Sequence, residues 1–330
     1  MSKKILLTFD YELFLYQSGS LENCILKPVQ ELLSLFDKLN IKGVFFIDIL
    51  YLKMLRKDGL KEDENKFCKS IHTLVEKGHQ VELHLHPHWL DATYESNKKE
   101  WNLSNSDKYR LQSLSPTELE DVFTEGYNLL TDVCKQVDND YKITAYRAGG
   151  LCIQPFDVLQ PLLEKFDIKI DSSVATELKS ESKAHFYDFT KAPKQAIYNF
   201  STDPTVIDKN GQFIQIPIFS YQKKLINKIS GKLFGTSGIG NQKFGDGKAV
   251  VPQNNVRSSV FSRFKADFYM YSLDGDYDEG LLLRKMKNEK NDIITIIAHP
   301  KLLSKSSLKT IELMHNKGFT FATIKDVVNS

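Results

Sequence analysis

Short apolar runs alternate with amphipathic stretches along most of this chain, and that alternation constrains its fold more than any other feature. Ile5-Leu6-Leu7-Thr8-Phe9 reads as a buried strand. Pro28 then opens PVQELLSLFDKLN, where Leu32, Leu33, Phe36 and Leu39 recur at helical spacing. Val44-Phe45-Phe46-Ile47 returns to strand, residues 65–77 to helix, and 79–83 to strand. A capping signal at Ser115-Pro116-Thr117-Glu118 starts a helix predicted to reach about Val137. Strands are expected at 142–146, 168–170, 293–298 and 319–322, and helices at 155–166 and 306–316. Strand-then-helix alternation predicts a parallel sheet with helices outside it.

The rhythm breaks between about 175 and 290. Residues 195–219 read as a β-hairpin around Asn210-Gly211, and the glycine-rich 231–247 as a loop. This region is read as an insertion within one domain spanning 1–330.

Bulk properties narrow the function classes. The chain has 330 residues and a net charge of +2, with no basic stripe, so nucleic acid is not an expected partner. Its four cysteines, Cys24, Cys68, Cys134 and Cys152, have no C-x-x-C spacing and are read as reduced thiols. MSKKILLTFDYE has no signal-peptide pattern, and no stretch is long enough to span a membrane. A cytoplasmic protein of unknown oligomeric state is expected.

The polar residues then fall at telling places. Asp10, His84, Arg147, Asp171 and His299 each stand at the C-terminal end of a different expected strand. In α/β barrels the loops after the strands converge on that face and carry the active site. The stretch ELHLHPHW packs His84, His86 and His88 into five residues, out of eight histidines in all. Two histidines and a carboxylate form a catalytic zinc set, with one position left for water. His84 and His88 can supply the imidazoles if the chain turns at Pro87, and Asp10 or Glu12 the carboxylate. One of the two acids can bind the metal while the other takes the proton of an attacking water. A histidine can protonate a departing amine. Such a set hydrolyses an amide or an ester.

From TFDYE near residue 8 to AHP at 298–300, these motifs in this order resemble the polysaccharide deacetylases of the NodB-homology class, carbohydrate esterase family 4, and within it the WbmS-type branch associated with surface-polysaccharide clusters. The resemblance implies a distorted (β/α)7 barrel, here with a β-hairpin and loop insertion before the last strands. It implies Asp10 as catalytic base and Glu12 as metal ligand, since Tyr11 replaces the motif's second aspartate; the alternative exchanges the two roles. GHQVELHLHPHW aligns His84 and His88 with the family's ligands. His86 between them is expected to bind substrate or to face away, and Trp89 to pack on a sugar or in the core. Arg147 of YRAGG would orient the base, Asp171 would pair with the last histidine, and His299 would be the general acid.

The implied function is removal of an N-acyl group, most simply acetyl, from an amino sugar, with one divalent metal, zinc, and a carbohydrate substrate. Two alternatives remain at this stage: a carbohydrate-binding barrel without turnover, and a metal hydrolase of another non-peptide C–N bond. Tyr94, Trp101 and Tyr109 would be a sugar platform or simple packing.

Overall fold

A computed structural model describes residues 2–105, 107–182, 184–223, 242–249, 267–275 and 277–328. Its main sheet contains, in chain order, β1 (Lys4–Tyr11), β2 (Val44–Asp48), β3 (Gln80–Leu85), β4 (Ala145–Ala148), β5 (Ile170–Asp171), β6 (Tyr198–Phe200), β7 (Phe213–Gln215), β8 (Ile293–Ala298) and β9 (Thr320–Ala322). The strand order is β6-β7-β5-β4-β3-β2-β1-β8, and β9 also pairs with β1. Only β6 and β7 are antiparallel. The mixed sheet curls strongly into a half-barrel, the shape expected of a distorted barrel. Its two ends approach through backbone bonds: Tyr271 N–H donates to Phe219 C=O (2.8 Å) and Ile297 N–H to Tyr271 C=O (3.0 Å).

The sequence explains why the wall forms. Ile5 to Tyr11 are all buried, as are all residues of β2 and β3. Strands of a parallel sheet covered on both faces need such near-continuous apolar runs. Helices α1 (Lys27–Leu39), α2 (Leu50–Lys57), α3 (Lys61–Glu76) and α4 (Pro116–Lys135) follow the first strands. α1 buries Val29, Leu32, Leu33 and Phe36 and stops at Asn40 in the left-handed conformation. α4 begins with the expected capping box, Ser115 Oγ accepting from Glu118 N–H while Glu118 accepts from Ser115 N–H. Among the described residues, no helix is long and apolar enough to cross a membrane.

The segment 175–290 contains the expected β-hairpin. Tyr198 stands opposite Gln215, and the hairpin joins the main sheet because β7 also pairs in parallel with β5. Of the glycine-rich stretch, 231–241 lies outside the described residues. Residues 242–249 lie along Phe14 and the chain near 301–303: Phe244 N–H donates to Leu303 C=O (2.9 Å) and Gly245 N–H to Lys301 C=O (3.0 Å).

His79, just before β3, is structural. Its Nδ1 accepts from Gly43 N–H (3.1 Å), and its ring packs on Phe36 and Phe45. Burial, helped by Lys42, pushes its pKa down to about 4 from 6.5. The unfolded chain therefore takes up this proton at higher pH than the folded one. Stability contributed by the neutral ring is present above pH 6.5 and is lost as pH falls toward 4, at up to about 1.4 kcal/mol per pH unit. Thermal melts at pH 7 and pH 5 should show a larger loss in the wild type than in His79→Asn, whose amide oxygen can still accept from Gly43. Equal losses would dismiss the assignment.

Candidate active site

Alternation along β1 sends Thr8, Asp10 and then Glu12 to one side, inside the curl, and Phe9 and Tyr11 to the other. Arg147, at the end of β4 and with no exposed surface, meets the first two. Its Nη1 donates to Asp10 Oδ1 (2.6 Å) and its Nη2 to Thr8 Oγ1 (2.9 Å) and Ser172 Oγ (2.9 Å). Nε donates to Ser172 C=O (2.8 Å), and the guanidinium lies 4.2 Å over the Phe46 ring. Burial alone would raise the Asp10 pKa, but Arg147, then His84 and His299, outweigh it and hold the carboxyl below its ordinary range. Asp10 is thus ionised, with Oδ1 fixed and Oδ2 left over.

The histidines obey the same alternation. The chain stays extended through His86 (φ −119°, ψ 97°), so His84 and His86 share a face. His84 Nδ1 donates to Arg147 C=O (2.7 Å), which leaves Nε2 toward Glu12 Oε2 at 3.1 Å. His86 Nε2 lies 2.6 Å from that same oxygen, yet off the hydrogen-bond direction, so neither His86 ring nitrogen has a hydrogen-bond partner. Donor atoms of Glu12, His84 and His86 all fall within 4.8 Å of one another, and all three residues are buried.

This group fits a metal ion. Two imidazoles and a carboxylate are a catalytic zinc donor set. A carbonyl on His84 Nδ1 fixes the tautomer that offers Nε2 outward. The electrostatics agree. Burial would lower the His84 pKa, but Asp10 and Glu12 raise it to about 9, so the spot favours positive charge. Burial would raise the Glu12 pKa, but Lys301 and His86 hold it well below the carboxylate range.

His299 follows β8 and closes the site. Its Nδ1 bonds Asp274 Oδ2 (2.7 Å), and its backbone N–H donates to Asp274 Oδ1 (2.8 Å). Its Nε2 lies 3.7 Å from Asp10 Oδ2 and 3.6 Å from Glu12 Oε1. Burial works against protonation, yet Asp274, Asp10 and Glu12 raise its pKa above the usual 6.5. At 19% exposed, the His299 side chain is the most open of these groups.

The fold is a known one. A candidate polysaccharide deacetylase from Mycobacterium smegmatis superposes with a TM-score of 0.50 over 100% of this chain and 90% of its own, at 12% identity. A 4-alpha-glucanotransferase from Thermococcus litoralis superposes at 0.52 over 100% of this chain, at 10% identity; this chain spans 41% of its length. No family model matches the sequence, and no curated protein matches it. The likeness is therefore one of fold.

The placements of His88, His86 and Asp171 differ from those expected, and Trp89 takes the second of its two alternatives. His86, not His88, completes the group with Glu12 and His84, because a strand presents every second residue to one face. Beyond His86 the chain enters a short 3-10 turn, Pro87–Asp91. There the His88 ring stacks on Tyr109 (5.6 Å) and Trp89 (6.0 Å), its nitrogens unpartnered. Burial and then His86 hold its pKa well below 6.5, so it stays neutral. His86 accordingly leaves the substrate-binding role for the donor group.

Trp89 has no exposed surface and belongs to the core; its Nε1 donates to Asp48 Oδ2 (2.6 Å), whose Oδ1 accepts from His86 N–H (3.2 Å). Trp101 and Tyr109 are buried likewise.

Asp171 does not meet His299. It precedes Ser172 by one residue, and Ser172 is the one that reaches Arg147, so Asp171 faces the opposite side. Its carboxylate accepts from Ser173 Oγ (2.6 Å) and Ser173 N–H (3.0 Å), and burial raises its pKa to about 6. Asp274 takes the expected place.

Asp274 and Lys301 join the site without a periodic sequence signal. Asp274 precedes Gly275, which has φ +61°, a turn signal inside an otherwise aperiodic segment. Lys301 stands two residues after His299.

Proposed function

We propose that this chain is a metal-dependent hydrolase that removes an N-acetyl group from an amino sugar in surface-polysaccharide metabolism, as its resemblance to the WbmS-type deacetylases implies. One observation carries the reading: a buried Glu12–His84–His86 donor group has an ionised Asp10 and a proton-bearing His299 at its edge. The fold shared with a candidate deacetylase supports it. Glu12, His84 and His86 would hold a divalent cation, zinc by donor type, which when bound supplies Lewis-acid polarisation of the amide carbonyl and acidifies water.

The chain's own residues do the rest. Asp10 Oδ2 takes the proton of the attacking water while Arg147 keeps Oδ1 fixed. Oxygen adds to the carbonyl carbon, and the C–N bond then breaks. His299 Nε2 gives its proton to the departing nitrogen, and Asp274 holds the ring on Nδ1 throughout. Acetate and the free amino sugar result, and solvent restores both proton carriers.

A barrel without turnover loses its motive. Tyr11, standing where the family motif has an aspartate, points away from the site and bonds Ser70 Oγ (2.6 Å), while Glu12 reaches the histidines.

Acetate release from N-acetylated amino sugars tests the proposal, beside metal content. Asp10→Asn and His299→Ala should each keep their metal and lose about 10²–10⁴ in kcat. Turnover at the wild-type rate in either, or no acetate from metal-loaded wild type, would sink it.

A further inference from the structure

One buried charge has no part in the scheme so far. Lys301 is 5% exposed, and its Nζ donates to Glu12 Oε1 (2.7 Å) and Leu13 C=O (2.6 Å). A cation this close to a ligand of a cation site opposes cation binding. Its placement is nevertheless built in. Nζ lies 5.3 Å from the Phe14 ring centroid, and Gly245 N–H donates to the Lys301 carbonyl (3.0 Å). Gly245 admits no side chain there, since a Cβ would stand 2.5 Å from that carbonyl oxygen and 2.7 Å from Phe14. A buried ion pair is a poor device for stability compared with apolar packing. Its presence here asks for a role in the site.

Charge pairing suggests the role. Asp10 has Arg147, Asp274 has His299, and Glu12 has Lys301. Glu12 is divided, with Oε1 on the lysine and Oε2 facing both histidines. We propose that Lys301 is a positioning residue that neutralises Glu12, so that a cation held by Glu12, His84 and His86 keeps its full charge toward anionic ligands while being held less tightly itself. The ligand class is carboxylate, including the acetate product, and the inference rests on the metal reading above.

The test uses wild type, Lys301→Met and Lys301→Gln. Methionine removes charge and hydrogen bond; glutamine keeps an N–H donor without charge. Zinc affinity is read by competition with a chromogenic chelator, and acetate affinity by calorimetry on the zinc-loaded protein. Both variants should bind zinc about ten-fold more tightly or better, and acetate about ten-fold more weakly or worse. Zinc affinity unchanged or reduced in both variants would overturn the inference and leave Lys301 as a brace for Glu12. Wild type that takes up no zinc would overturn the proposed function and this inference together.

Discussion

Alanine at His86 should abolish stoichiometric zinc uptake, while alanine at His88 should leave it in place. The two residues lie in one turn of chain, and the spacing of the family motif favours the second. Geometry favours the first. His86 Nε2 is 2.6 Å from Glu12 Oε2, within the group of buried donors that also holds His84, whereas the His88 ring stacks on Tyr109 and on Trp89. Losing one of three protein ligands removes a bond the remaining two cannot replace. Losing a neighbour outside the ligand set costs about 10–100-fold in affinity at most. Metal analysis after dialysis against a weak chelator separates the cases. Retention in His86→Ala and loss in His88→Ala would reverse the assignment.

Arg147→Met should cost about 3–5 kcal/mol of stability and nearly all turnover. Arg147 makes four side-chain hydrogen bonds, tying β1 to β4 and to Ser172. Removing it strips buried Asp10 of its hydrogen-bonded counter-charge and leaves only the more distant His84 and His299, the costly way to break a buried pair. The carboxyl then regains protons more readily, which disables it as a base at neutral pH. Arg147→Lys should recover little, because one ammonium cannot serve acceptors spread over a planar fork. Urea unfolding followed by fluorescence measures the first effect and acetate release the second. A methionine variant as stable as the wild type would refute the account.

The sequence displayed the wall of the barrel plainly, because strands covered on both faces must be written as apolar runs. It also displayed Asp10, His84, Arg147 and His299, since each ends such a run. What it hid depends on facing. His84 and His88 matched a familiar spacing, but the strand runs on through His86 and chooses the i, i+2 pair. Asp171 ends a strand too, yet one step of alternation turns it away and gives Ser172 to Arg147. Asp274 and Lys301 lie beyond any pattern of this kind. Asp274 sits in a bend and Lys301 in the 3-10 turn Pro300–Leu302, and only the three-dimensional path shows that one holds His299 and the other Glu12.

β1 pairs with β2 along Thr8–Tyr11, with β8 along Lys4–Phe9 and with β9 along Lys4–Leu6. Asp10 therefore rides on a strand that takes two of its three partners from chain at and beyond Ile293. Pairing over so long a span is slow to form, and until it does β1 keeps one edge unpaired. Asp10 thus reaches its final surroundings only once segments distant in sequence have met, and the candidate site is completed late in folding.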